Sequence, residues 1–190
     1  GIEAPGIHTL RRIAEQLTDD IWLVAPTDQQ SCKSHSVTVD APVRIRHYEE
    51  KIHAVAGTPA DCVFIALSEI MRDCPPDLVL SGINHGSNYG SDIIYSGTVA
   101  AAREAVLRGV PAIAFSYRYN DRHNYDWSAA LKFGPAIAKK IIDTGIPPRN
   151  LLNVNFPGCA AEQVKGIKVV PAAKRNSMES ILKRTDPYES

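Results

Sequence analysis

Residues 77–108 read DLVLSGINHGSNYGSDIIYSGTVAAAREAVLR, and the fold is decided there. Leu78-Val79-Leu80 signals a buried strand. A polar loop follows with Gly82, Gly86, Gly90 and Gly97, and an alanine-rich helix closes the unit. Strand, glycine-rich loop and helix in that order is how open α/β sheets build ligand sites at the carboxyl edge of their strands. Apolar elements anchor both ends of a loop that is itself polar and conformationally permissive, a division that suits binding better than core building.

Upstream, Ile21-Trp22-Leu23-Val24-Ala25 is continuously apolar, as expected for a parallel strand covered on both faces. Ile7, Leu10, Ala14 and Leu17 before it fall at helical spacing. A helix feeding such a strand normally follows another strand, so the topology predicts a first strand ahead of Gly1 that this chain does not contain. Val37–Val43 and Ile52–Ala56 alternate like strands around a Glu49-Glu50-Lys51 turn, giving a small antiparallel excursion at the sheet margin. Thr58, Pro59 and Asp61 have the chemistry of a helix start, and the helix is expected to reach about Met71.

Downstream, Gly109 ends the alanine-rich helix and Val110–Ser116 reads as a buried strand. A polar, aromatic segment from Tyr117 to Trp127 leads to a helix over Asp126–Asp143, then to strands at Leu151–Pro157 and Ile167–Val170. From Lys174 the chain turns polar and locally basic, with too little apolar content for a core. The expectation is a Rossmann-like three-layer α/β fold with a mostly parallel sheet, a small antiparallel excursion and a C-terminal arm. One domain covers 1–173, and 174–190 begins the arm.

Totals narrow the function classes. At 190 residues the chain is long enough for one substantial core. Positive and negative residues balance at 21 each, which excludes a global basic field for DNA or RNA. No apolar run approaches the roughly 18–20 residues that span a bilayer, and no signal peptide opens the chain. Cys32, Cys62, Cys74 and Cys159 lack metal-ligand spacing and read as reduced thiols, so a cytoplasmic location is expected.

Three groups should converge on one sheet edge. Asn84 carries a hard oxygen suited to Mg²⁺, Mn²⁺ or Ca²⁺, and can equally brace its own loop. Ser31, in the loop after the neighbouring strand, can ligate a hard cation, donate to phosphate or face solvent. His35, four residues on, can protonate a leaving alkoxide, contact phosphate or sit on the surface. Ser96-Gly97-Thr98 opens the alanine-rich helix, where free amides and the helix dipole make a phosphate seat compatible with Ser96 as N-cap. Asp92 is the obvious local carboxylate. No Walker loop, G-x-G-x-x-G, G-x-S-x-G elbow or zinc motif is present. Whether Tyr89, Tyr95 or Tyr117 stacks on a base or merely packs is open at this level.

In order along the chain come GIEAPG (Gly1–Gly6), Ala25-Pro26 with Ser31, Ser34-His35-Ser36, Gly57-Thr58-Pro59-Ala60-Asp61-Cys62-Val63, Ser81-Gly82-Ile83-Asn84, Gly86-Ser87-Asn88 and Tyr95-Ser96-Gly97-Thr98-Val99. With these motifs in register, the chain resembles the SurE family of survival-protein nucleotidases. The resemblance implies a metal-dependent phosphatase acting on nucleoside 5′- or 3′-monophosphates, and on short polyphosphate. It implies one divalent cation per subunit, Mg²⁺ or Mn²⁺, held by Ser31, Asn84 and two adjacent aspartates that fall ahead of Gly1. Phosphate would meet Ser96, Gly97 and Thr98. His35 stands where members carry histidine or asparagine and is the candidate catalytic side chain. A homodimer or homotetramer is implied, with C-terminal contacts beyond the region matching Ser190. A chain truly lacking the acidic pair should have almost no metal affinity and no turnover. It would then be a non-catalytic nucleotide- or phosphate-binding protein, or an assembly protein.

Overall fold

The computed structural model describes residues 1–119 and 125–172. Along them run α1 (Pro5–Ala14), β1 (Leu23–Pro26), β2 (Ile45–Glu49), β3 (Ile52–Val55), α2 (Pro59–Ile65), β4 (Val79–His85), α3 (Asp92–Tyr95), α4 (Gly97–Leu107), β5 (Ala112–Tyr117), α5 (Ser128–Thr144) and β6 (Leu152–Phe156). A π-type turn over Ala66–Ile70 prolongs α2.

β5 is buried along its whole length, and its alternate residues divide two cores. Ile113, Phe115 and Tyr117 pack with Leu10 and Ile13 of α1 and Ala130 and Ala138 of α5. Ala112 and Ala114 meet Val99, Ala102 and Ala105 of α4 on the opposite face. Large side chains on one face and alanines on the other let α4 lie close to the sheet. Burying each large side chain is worth about 1.5–3 kcal/mol. The result is the expected Rossmann-like α/β/α sandwich.

The strands form two three-stranded sheets, β1-β3-β2 and β4-β5-β6. β1 runs parallel to β3, β2 is antiparallel to β3, and β4, β5 and β6 are mutually parallel. β1 and β4 are therefore edge strands among the described residues, and both line one cavity of about 1670 Å³. α1 packs across β4 at very short range. A Cβ on Gly6 would lie 2.1 Å from the carbonyl oxygen of Ile83, so only glycine permits this approach.

Several boundaries differ from expectation. Val37–Val43 is not a strand: the excursion uses Ile45–Glu49 instead. The Thr38 amide, which a strand ladder would have used, donates at 2.8 Å to Asp61, as does the Thr38 hydroxyl. Val39 is left 88% exposed. Ile167–Val170 is also irregular, and among the described residues no layer covers its apolar side chains. Asn84 lies within β4 rather than beyond it, since the strand continues to His85 past an irregularity in its pairing. α5 begins at Ser128, not Asp126, where the Asp126 carboxylate accepts from the Ser128 amide at 2.9 Å. Residues 174–190, expected to begin an arm, lie outside the described residues. No helix among the described residues is long and apolar enough to cross a membrane.

Candidate active site

The loop after β1 is held by a succession of polar ties. Cys32 and Ser34 adopt left-handed backbone conformations with φ of 54° and 52°, uncommon for side-chain-bearing residues. Each costs of order 1–3 kcal/mol and persists only where the surroundings enforce it. The enforcing contacts are the Ser34 amide donating to the Tyr95 carbonyl at 3.1 Å, the Thr58 hydroxyl donating to the Ser36 carbonyl at 2.7 Å, and a His35–Glu104 pair at 2.9 Å. Ser31 is exposed on this braced loop.

At the end of β4, Asn84 Nδ2 donates to the Gly86 carbonyl at 2.7 Å. That bond fixes the amide's orientation and leaves Oδ1 without a hydrogen-bond partner among the described residues. The two roles weighed for Asn84 are thus compatible: the nitrogen braces the loop while the oxygen can ligate. Deeper in, Asn88 anchors the same loop. Its amide donates to Asn155 Oδ1 at 2.8 Å, its Nδ2 to the Ser116 hydroxyl at 2.6 Å, and its carbonyl accepts from Asn153 at 2.9 Å. Sequence reading had Asn88 only within the Gly86-Ser87-Asn88 motif and gave Ser116, Asn153 and Asn155 no role. The signal of those last three was polar residues at positions expected to be buried in strands.

Ser96 caps α4, its Oγ accepting from the Val99 amide at 3.1 Å. The hydroxyl proton stays available to a ligand, as do the Gly97 and Thr98 amides in the first turn, where helical amides lack internal partners. A Cβ on Gly97 would stand 3.0 Å from Pro59 Cγ and 3.4 Å from the Gln30 carbonyl. The first turn of α4 is therefore pressed between the start of α2 and the loop that carries Ser31.

Ser31, Asn84, Ser96, Gly97 and Thr98 all line the cavity between β1 and β4, and Asp92 does too. His35 does not line it. Its Nε2 faces the nearly buried Glu104 of α4, whose other oxygen accepts from Arg108 at 2.7 Å. Glu104 escaped the sequence reading because a glutamate in a helix looks like a solvated face until the loop is seen to fold over it.

A family model described as "Survival protein SurE" matches residues 1–179. The chain belongs to the SurE family. A 5′-nucleotidase SurE from Methylorubrum populi is 48% identical over 178 residues, spanning 93% of this chain and 70% of the relative. Another from Rhizorhabdus wittichii is 47% identical over 191 residues, spanning 98% and 75%. The crystal structure of the SurE protein from Aquifex aeolicus superposes with a TM-score of 0.89 at 42% identity, over 99% of this chain and 75% of that one.

SurE membership raises the question of a metal. The donor set is apt in kind, because a serine hydroxyl and an amide oxygen are hard ligands of the sort Mg²⁺ and Mn²⁺ take. It is modest in charge: among the described residues no three His, Cys, Asp or Glu side chains gather to hold an ion.

Proposed function

We propose that this SurE domain hydrolyses nucleoside 5′- or 3′-monophosphates to nucleoside and inorganic phosphate, and that short polyphosphate enters the same site. The observation that carries the reading is the convergence of Ser31, Asn84, Ser96, Gly97 and Thr98 on one cavity from three separate segments. Curated SurE relatives named as 5′-nucleotidases support the substrate class.

The amides of Gly97 and Thr98 and the Ser96 hydroxyl donate to the phosphoryl oxygens, and the α4 dipole favours their negative charge. These donors are preorganised, so they stabilise charge as it develops without reorganising at the moment of reaction. Ser31 and Asn84 would hold the divalent cation, Mg²⁺ or Mn²⁺, which when bound acts as a Lewis acid and lowers the pKa of a bound water. The open edges of β1 and β4 would accept one further strand between them. Acidic side chains at its carboxyl end would supply the charge that two neutral ligands lack. His35 acts on the loop rather than on the substrate, because Glu104 engages its Nε2 away from the cavity.

The reading extends to a homodimer or homotetramer in the cytoplasm. Exposed Ile167, Val169 and Val170 at the described end of the chain favour assembly. All four cysteines are free thiols, which suits a reducing compartment. Light scattering tests the assembly. The function is tested by phosphate release from a panel of nucleoside monophosphates with Mn²⁺ or Mg²⁺ and with EDTA. Metal-dependent release is expected, and release unaffected by EDTA would remove the cation from the reaction.

A further inference from the structure

A chain of aromatic rings runs from the core to the rim of the cavity beside Asn84. Tyr117, 1% exposed, anchors it: its ring lies 4.9 Å from Trp127 and its hydroxyl accepts from the Asp126 amide at 3.1 Å. Trp127 lies 5.9 Å from Tyr125, the two rings being within 10° of parallel. His85 meets Tyr125 and Tyr119 at 4.6 Å each. His85, Tyr119 and Tyr125 line the same cavity as Asn84, Ser96 and Thr98. A Cβ on Gly86 would sit 3.8 Å from Asn84 Nδ2 and 3.9 Å from Tyr119 Cε1, so the gap between Asn84 and that ring is kept clear of side chain.

We propose that the His85–Tyr119–Tyr125 ring cluster seats the nucleobase of the substrate, while Ser96–Thr98 seats its phosphate. The proposal rests on the phosphatase reading of this cavity and adds the base subsite to it. Rings packed on one another are already ordered, so stacking a base on them costs little further entropy. Tyr125 remains 39% exposed at a polar rim, where apolar surface without a ligand is left to water. Every base has a π-face, so a stacking platform binds nucleosides with little selection among bases. The other candidate tyrosines fit less well. Tyr117 is buried, and Tyr89 and Tyr95 are exposed but make no ring contact among the described residues that would order them.

The test titrates the full chain with adenosine and with ribose, following tryptophan fluorescence, since Trp127 lies next to Tyr125. Adenosine should bind saturably and ribose should not. Tyr125→Ala should weaken adenosine by roughly 5- to 100-fold, the usual range for removing a stacking partner, and Tyr125→Phe should retain it. Phosphate release from adenosine monophosphate and ribose 5-phosphate is measured alongside. Preference for the nucleotide in kcat/KM should fall in Tyr125→Ala and persist in Tyr125→Phe. Absence of adenosine binding, or equal binding by Tyr125→Ala and the parent, overturns the platform. Release from neither phosphate ester, with adenosine binding still dependent on Tyr125, would instead sink the phosphatase reading and leave the platform standing.

Discussion

Glu104 of α4 and His35 of the loop after β1, 69 residues apart in sequence, meet at 2.9 Å. The glutamate is 7% exposed, and its second oxygen binds Arg108, whose guanidinium also donates to Ser68 and lies 4.1 Å from the Phe64 ring. One carboxylate thus ties the Ser31 loop to the helix that opens with Ser96-Gly97-Thr98. Glu104→Ala should cost about 2 kcal/mol in urea unfolding, since both partners are part-exposed and water recovers some of the loss. It should also lower kcat/KM about tenfold by loosening Ser31. Arg108→Ala leaves the loop tie in place, so it should cost stability with little loss of activity. Equal activity losses in the two variants would show that the tie does not position the site.

Asn84 braces its loop through Nδ2, which leaves Oδ1 able to ligate a cation. Asn84→Ala should weaken Mn²⁺ binding by about tenfold or more, and kcat should fall with it. Asn84→Asp replaces a neutral ligand with a charged one and should tighten Mn²⁺ binding relative to the alanine variant. Titration followed by Mn²⁺ paramagnetic resonance reads both, and unchanged affinity in Asn84→Ala would remove this residue from the metal site.

Gly97 has almost no room beside it, with Pro59 Cγ and the Gln30 carbonyl closing in. Gly97→Ala should shift those neighbours by a few tenths of an ångström and crowd the anion seat. Inhibition by inorganic phosphate should weaken several-fold, while thermal stability changes by no more than about 1 kcal/mol, because alanine favours helix. Tight phosphate inhibition in the variant would place the seat elsewhere.

Asp61, 2% exposed, shapes the acid stability. Burial opposes its charge, but hydrogen bonds from the Thr38 and Thr58 amides and the Thr38 hydroxyl outweigh it and hold the carboxyl below its usual range. A folded pKa below the unfolded one means the stabilisation is present above about pH 4 and is lost as pH falls through the folded value. Asp61→Asn should therefore melt lower than the parent at pH 7, by the equivalent of about 2–3 kcal/mol. The gap should close as the pH is lowered below 4. A gap independent of pH would mean packing, not charge, sets the effect.

His53 opposes His47 across β2 and β3, with their Nδ1 atoms 2.8 Å apart. Burial first, and His47 second, push the His53 pKa below its ordinary value. The unfolded chain then binds more protons near pH 6, so stability should rise from pH 5 to pH 7 and fall on acidification through about 6.5. Replacing His47 by Ala should raise the His53 pKa in an NMR titration. No movement would leave burial as the sole cause.

The aromatic, alanine-rich and glycine-rich patterns made most of the layers legible. Continuous apolar runs at Ile21–Ala25 and Val110–Ser116 and the helical spacing from Ile7 to Leu17 placed real elements, because burial on both faces leaves a direct mark in composition. Val37–Val43 and Ile167–Val170 also read as strands but form none. Pattern records what a segment could bury, not whether a neighbour arrives to cover it. For Thr38 the competing partner was a carboxylate 23 residues away.

For the site, local chemistry sufficed where one short segment does the work. Ser96 as cap and Asn84 at a strand end follow from their immediate neighbours. Folding alone decided what lies across chain: that His35 turns from the cavity to Glu104, that Asn88 is clamped by Ser116 and Asn155, and that His85 falls between Tyr119 and Tyr125. Such contacts join residues about 30 to 70 positions apart, and their geometry comes from the packing of α4 and the parallel register of β4, β5 and β6. Sequence spacing carries no record of that register, because it is set only when the layers close.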